Sequence, residues 1–254
     1  MIPRVLIIAG SDSGGGAGIQ ADLKTVAMLG GHGMTAITAI TAQNSLGVTA
    51  VEPVTTAMVL AQIDAVVSDI GVDAVKIGMI GSAQTAHAVA EVLETMRGIA
   101  IVFDPVMVAT SGSVLADAET IAAFGRLMAI ATVTTPNLPE LDALTAGSGD
   151  ALALAKKFGT AIMVKGGHAA GDHIIDRLIA ADGIETRWKD TRIDTRHSHG
   201  TGCTLASAIA TGLAAGMALP DAIARARAYV RQALIAAPGL GGGHGPMGFL
   251  PEKG

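Results

Sequence analysis

VLIIAGSDSGGGAGIQADLK, residues 5–24, reads as three pieces in series. Residues 5–9 form an aliphatic run with no polar break. Residues 10–18 are glycine, small polar side chains and one alanine, and from Ile19 onward the chain takes on a helical pattern. A buried strand that ends in a glycine loop and re-enters as a helix is how an α/β sheet begins. The same rhythm recurs outward from this stretch. Strand-like runs at 34–42, 74–77, 99–103, 133–135 and 161–165 alternate with helical segments at 57–68, 83–96 and 120–129. Continuous apolar strands separated by helices predict a mostly parallel sheet covered on both faces. Residues 173–194 break the rhythm: runs at 174–180 and 185–188 flank Asp182-Gly183, a hairpin signal, so an antiparallel extension is expected at one sheet edge. Helices at 204–215 and 221–236 close the chain. With no linker or repeat to divide it, 1–254 reads as one domain.

Composition narrows the function. Aromatics are 2% of the 254 residues, so the core must be built from Ala, Val, Ile, Leu and Met. The net charge is -5 and no basic block runs along the chain, which argues against nucleic acid as a partner. Apolar stretches are short and interrupted, so no membrane span is expected, and residues 1–9 lack a signal-peptide layout. The lone cysteine, Cys203, excludes an intrachain disulfide and a cysteine-rich zinc site, and it fits a reducing cytoplasm.

In open α/β sheets ligands sit beyond the carboxyl ends of the strands. The polar and glycine-rich residues follow that rule: 10–18, Gln43-Asn44, Gly78-Met79, Asp104, 137–140 and 165–168 all come just after strand runs. The 10–18 loop is neither a P-loop nor a Gly-x-Gly-x-x-Gly fingerprint. By itself it is equally a flexible turn or a place where backbone approaches a flat ligand. At 199–205, HGTGCTL, glycines open a helix, whose free N–H groups suit phosphate. The same dipole is expected to lower the thiol pKa of Cys203 and make it a base toward a hydroxyl, although a lone cysteine is commonly a small buried hydrophobe. Asp104, Glu140 and Lys165 suit Mg²⁺ and a transferring phosphoryl group, or, taken singly, solvated caps. His197 and His199 have no third metal ligand in view and read as loop residues.

Together these segments resemble the hydroxymethylpyrimidine/phosphomethylpyrimidine kinases of thiamine biosynthesis, within the ribokinase superfamily. The matching stretches are IAGSDSGGGAGIQADLKT at 8–25, ITAITAQNSLGV at 37–48, KIGMIGS at 76–82 and FDPVMVATSGS at 103–113. They continue with TTPNLPEL at 134–141, VKGGH at 164–168, RIDTRHSHGTGCTLASAIA at 192–210 and GHGP at 243–246.

The resemblance implies a three-layer αβα sandwich and ATP-dependent phosphorylation of 4-amino-5-hydroxymethyl-2-methylpyrimidine, then of its monophosphate. It implies ATP and Mg²⁺ as cofactors and a homodimer. Cys203 matches the base, and Gly200 and Gly202, with Thr201 between them, match the anion hole. Gln43 matches the glutamine that reads the aminopyrimidine, with Asp22 nearby and Ala17, Met79 and Val106 around the ring. Glu140 matches the residue that organises Mg²⁺, and Asp104 and Lys165 match groups around the phosphates. Two stretches depart from the family: 145–161 is short, which removes about one or two turns from an outer helix, and Trp188 with Lys189-Asp190 in the hairpin is unusual. The nearest alternative is a pyridoxal or pyridoxine kinase of the same fold. A Gln43 carbonyl paired with a ring amine would disfavour it. A non-catalytic pyrimidine sensor would have no use for Asp104, Glu140, Lys165 and Cys203.

Overall fold

The computed structural model describes residues 1–109, 112–168 and 171–251. Thr110 and Ser111, inside the 103–113 match, lie outside the described residues. The strands are β1 (Arg4–Asp12), β2 (His32–Asn44), β3 (Gly47–Pro53), β4 (Ala74–Ile77), β5 (Ala100–Phe103), β6 (Val133–Thr134), β7 (Ala161–Val164), β8 (His173–Ile179) and β9 (Glu185–Thr191). The helices are α1 (Gly18–Met28), α2 (Thr56–Asp69), α3 (Ala83–Thr95), α4 (Ala118–Ile130), α5 (Leu138–Leu144), α6 (Ala151–Phe158), α7 (Thr201–Ala214) and α8 (Leu219–Ile235).

All nine strands join one sheet in the order β3-β2-β1-β4-β5-β6-β7-β8-β9. The six from β2 to β7 run parallel. The β8–β9 hairpin extends one edge antiparallel, as the Asp182-Gly183 signal predicts. The other edge carries β3, antiparallel to β2, which the sequence reading does not anticipate. Most of β3 is exposed, so it has no continuous apolar run to betray it.

Consecutive residues of a strand point to opposite faces, and β1 shows the consequence. Leu6 and Ile8 enter one core with Val75, Ile77, Ile101 and Phe103, capped by Val59, Ile63, Val89, Leu93, Phe124 and Leu127 from α2, α3 and α4. Val5, Ile7 and Ala9 enter a second core with Val26, Leu205, Ile209, Ile223 and Tyr229 from α1, α7 and α8. This is the expected αβα sandwich. Each fully buried Leu or Ile contributes about 1.5–3 kcal/mol relative to exposure. Phe103 and Phe124 meet edge to face at 5.2 Å and 82°, so this aromatic pair locks α4 to the sheet.

Segment 145–161 holds only the eight-residue α6, ended by Gly159 in the left-handed region. The Trp188–Asp190 departure is a brace: Arg227 of α8 donates to Asp176 and Asp190 at 2.6 Å each and lies over the Trp188 ring at 5.8 Å. Asp176 also accepts from the Gly166 N–H at 2.8 Å, so the buried Asp176–Arg227 pair, with the half-exposed Asp190 at its rim, fixes the turn that follows Lys165.

Candidate active site

A cavity of about 990 Å³ opens at the carboxyl ends of the parallel strands. Ala17, Gln43, Met79 and Val106 line it, as do Asp104, Glu140, Lys165, Gly200, Thr201, Gly202 and Cys203. Residues from seven separated segments therefore line one cavity, because each follows a strand or opens α1, α5 or α7.

Asp22 is placed differently. Its side chain and that of Lys76 are both 0% exposed and form an ion pair at 2.7 Å; Ser207 donates to the other Asp22 oxygen at 2.7 Å. Asp22 does not line the cavity, whereas Lys76 does. The carboxylate thus stands behind the wall and positions an ammonium that sequence reading passed over. Burial alone would pull Lys76 down, but Asp22, with Cys203 and Asp104 nearby, holds its pKa above the ordinary value. Ser207 lies one turn after Cys203 on α7, so Asp22 and Lys76 sit beneath the thiol.

At the α7 start, Gly200 has φ +84° and a Cβ there would overlap the Gly16 carbonyl, so only glycine fits. A Cβ on Gly202 would lie 3.3 Å from both Asp104 and Lys165, which puts the first turn of the helix directly beside those charges. Lys165 pairs with Asp104 at 2.7 Å and Glu140 at 3.6 Å. Burial pulls the Lys165 pKa down, and the two carboxylates outweigh it and hold the ammonium above its ordinary value. Thr135 donates to Asp104 at 3.1 Å. Glu140 closes a capping box with Asn137 at the α5 start. Burial pushes the Glu140 carboxyl up, with Lys165 opposing.

Cys203 corrects one expectation. The helix start does not yield a low-pKa thiol: burial pushes it up to about 11, Lys76 pulls the other way, and Asp22 and Asp104 add to the rise. Desolvation of a thiolate and two nearby carboxylates outweigh one helix end.

The glycine loop is organised by Asp12, which accepts from the backbone of Gly14, Gly16 and Ala17 at 2.8–3.0 Å. His199 lies 3.0 Å from both Asp12 and Gln43, while His197 faces the glycine-rich 239–245 segment. Among the described residues no group of three metal-ligating His, Cys, Asp or Glu is found. Likewise no described helix is long and apolar enough to cross a membrane.

A parallel αβα sheet whose cavity sets a helix start and a lysine–carboxylate cluster against an apolar, glutamine-bearing wall defines a ribokinase-like small-molecule kinase. The chain belongs to the phosphomethylpyrimidine kinase family, whose profile matches residues 12–248. It is 49% identical over 255 residues to a hydroxymethylpyrimidine/phosphomethylpyrimidine kinase of Streptomyces coelicolor, covering 96% of this chain and 93% of that one. Among solved structures it is similar to the phosphomethylpyrimidine kinase of Clostridium difficile (36% identity, TM-score 0.77, 92% and 99% covered). It is also similar to the pyridoxal kinase of Staphylococcus aureus in complex with AMP-PCP and pyridoxal (31% identity, TM-score 0.88, 97% and 93% covered).

Proposed function

We propose that this protein transfers the γ-phosphoryl group of ATP to the hydroxymethyl of 4-amino-5-hydroxymethyl-2-methylpyrimidine, then to the resulting monophosphate, in thiamine biosynthesis. The observation that carries this is the meeting, in one cavity, of the Gly200–Cys203 helix start with Lys165 and a ring-sized wall of Ala17, Gln43, Met79 and Val106.

Asp104 and Glu140 offer the oxygen donors that Mg²⁺ prefers, and their approach to Lys165 supports a phosphate-side role for the cluster; the residues fit the ion. Bound Mg²⁺ neutralises phosphate charge. Lys165 adds a fixed cation beside the transferring group. The N–H groups at the α7 start face the same charge as it develops, and the positioned dipole needs no reorganisation. The Cys203 thiolate takes the hydroxyl proton as the P–O bond forms and returns to thiol, with the Lys76 ammonium as its counter-charge. A thiol of raised pKa gives a scarce thiolate, but one that holds the proton firmly.

The reading extends to one domain over 1–254, a cytoplasmic location supported by the absence of disulfide-forming cysteines, and a homodimer supported by the family resemblance. The likeness to a pyridoxal-bound structure favours pyridoxal as a second, weaker substrate. The test is ADP release with Mg-ATP and either compound. We expect kcat/KM on the aminopyrimidine to exceed that on pyridoxal by tenfold or more; the reverse order would make pyridoxal the substrate, and no ADP with either would leave a sensor.

A further inference from the structure

Gln43 has an amide whose two ends differ chemically but look alike in shape, so its hydrogen bonds decide which end is which. The end assigned as NH₂ lies 3.0 Å from His199 Nε2. The same ring nitrogen lies 3.0 Å from Asp12 Oδ2. Asp12 already accepts three backbone N–H groups. Although burial works in the opposite sense, bonds from His199, Ala17 and Gly14 hold its carboxyl below the ordinary range. It is a carboxylate and only accepts, so His199 Nε2 carries a hydrogen, whether the ring is neutral or charged. That one hydrogen has to serve Asp12 and the amide together, both 3.0 Å away, so the amide end facing it must be an acceptor, and in an amide only the oxygen is one.

The other end of the amide gives the same answer independently. Thr41 Oγ1 lies 3.2 Å from the end assigned as oxygen and 2.8 Å from the Ser11 carbonyl, and it can donate to only one of the two. A hydroxyl has one hydrogen, and the shorter bond to Ser11 uses it. Thr41 can therefore only accept from Gln43, which requires an NH₂ there.

We infer that His199, itself set by Asp12, is a specificity-determining positioning residue that turns the Gln43 amide so that its NH₂ serves Thr41 with one hydrogen and the cavity with the other. The side chain then presents a donor to the substrate. Its natural partner is an in-plane acceptor such as an aromatic ring nitrogen. That reverses the pairing of a Gln43 carbonyl with an exocyclic amine. It also removes Gln43 as a barrier to pyridine rings, which carry the same kind of nitrogen. The inference rests on the reading above that the ring sits against Gln43.

The test is calorimetric binding of 4-amino-5-hydroxymethyl-2-methylpyrimidine, without nucleotide, to Gln43→Glu and Gln43→Ala. Glutamate keeps the acceptors and removes the donor. We expect Gln43→Glu to raise Kd about 10-fold or more, at least as much as Gln43→Ala. Retained affinity in Gln43→Glu with loss in Gln43→Ala would overturn the inference while leaving the ring at Gln43. An unchanged Kd in Gln43→Ala would instead remove the ring from Gln43. His199→Phe should raise Kd in the wild-type background and have no further effect in Gln43→Ala, because it acts through the amide. An equal effect in both backgrounds would mark His199 as structural only. Gln43 is only half-buried, so its variants should fold; if His199→Phe does not, the smaller His199→Ala is read in the same two backgrounds by the same criterion.

Discussion

Cys203 is the only cysteine, so its ionisation can be read without ambiguity from alkylation by iodoacetamide, followed by intact mass. The thiol is held at about 11 against an ordinary value of 9.0. At pH 7 that leaves a thiolate fraction of about 10⁻⁴ rather than about 10⁻², so the rate should be roughly 100-fold below that of an ordinary thiol. The rate should rise about tenfold per pH unit and level only near 11. Lys76→Met removes the ammonium that opposes the rise, so its midpoint should move higher; Asp22→Asn removes a carboxylate that adds to it, so its midpoint should move lower. The same shift has a stability consequence of fixed sign. The unfolded chain releases the thiol proton near 9 and the folded chain near 11. The contribution is therefore complete below pH 9 and is lost as pH rises through about 11. Relative to Cys203→Ala, the protein should lose up to roughly 3 kcal/mol across that window, an upper bound because the side chain opens on the cavity. An alkylation midpoint at or below 9 would refute the claim that burial and the two carboxylates outweigh Lys76 and the helix end.

Asp22→Ala strands a wholly buried ammonium and should cost about 3–5 kcal/mol, seen as a fall in Tm of roughly 6–20 °C by calorimetry; a change under about 2 °C would show that water reaches Lys76. Gly200→Ala forces a Cβ onto the Gly16 carbonyl at a left-handed position, so it should displace the α7 start, with kcat falling about 100-fold and Tm by several degrees. Cys203→Ala should lower kcat about 10²–10⁴-fold with little change in pyrimidine Kd; near-normal turnover with a lower Tm alone would make the cysteine a packing residue.

The sheet was legible because its signal is local. The run Val5–Ala9 needs no distant partner to read as a strand buried on both faces, and its residues divide between the two cores. Edge strand β3 was not, because an exposed edge has no apolar run to show. Cavity residues that follow strands were found by their position at strand ends. The groups that arrange them were missed, since their partners are remote: Lys76 meets Asp22 across 54 positions and His199 meets Asp12 across 187. A lysine inside the buried run Ala74–Ile77 was the one local hint. The thiol of Cys203 shows the limit most clearly: helix position is visible in a motif, whereas desolvation and the carboxylates beneath it arise only when the sheet and α1 come together.

The measurement that tests the account most directly is mass spectrometry of the products after the purified protein is incubated with Mg-ATP and 4-amino-5-hydroxymethyl-2-methylpyrimidine. The account predicts the pyrimidine monophosphate first and the diphosphate on longer incubation, with one ADP released for each phosphate added. No phosphorylated pyrimidine would contradict the kinase reading itself, and a monophosphate that never advances would contradict the second transfer.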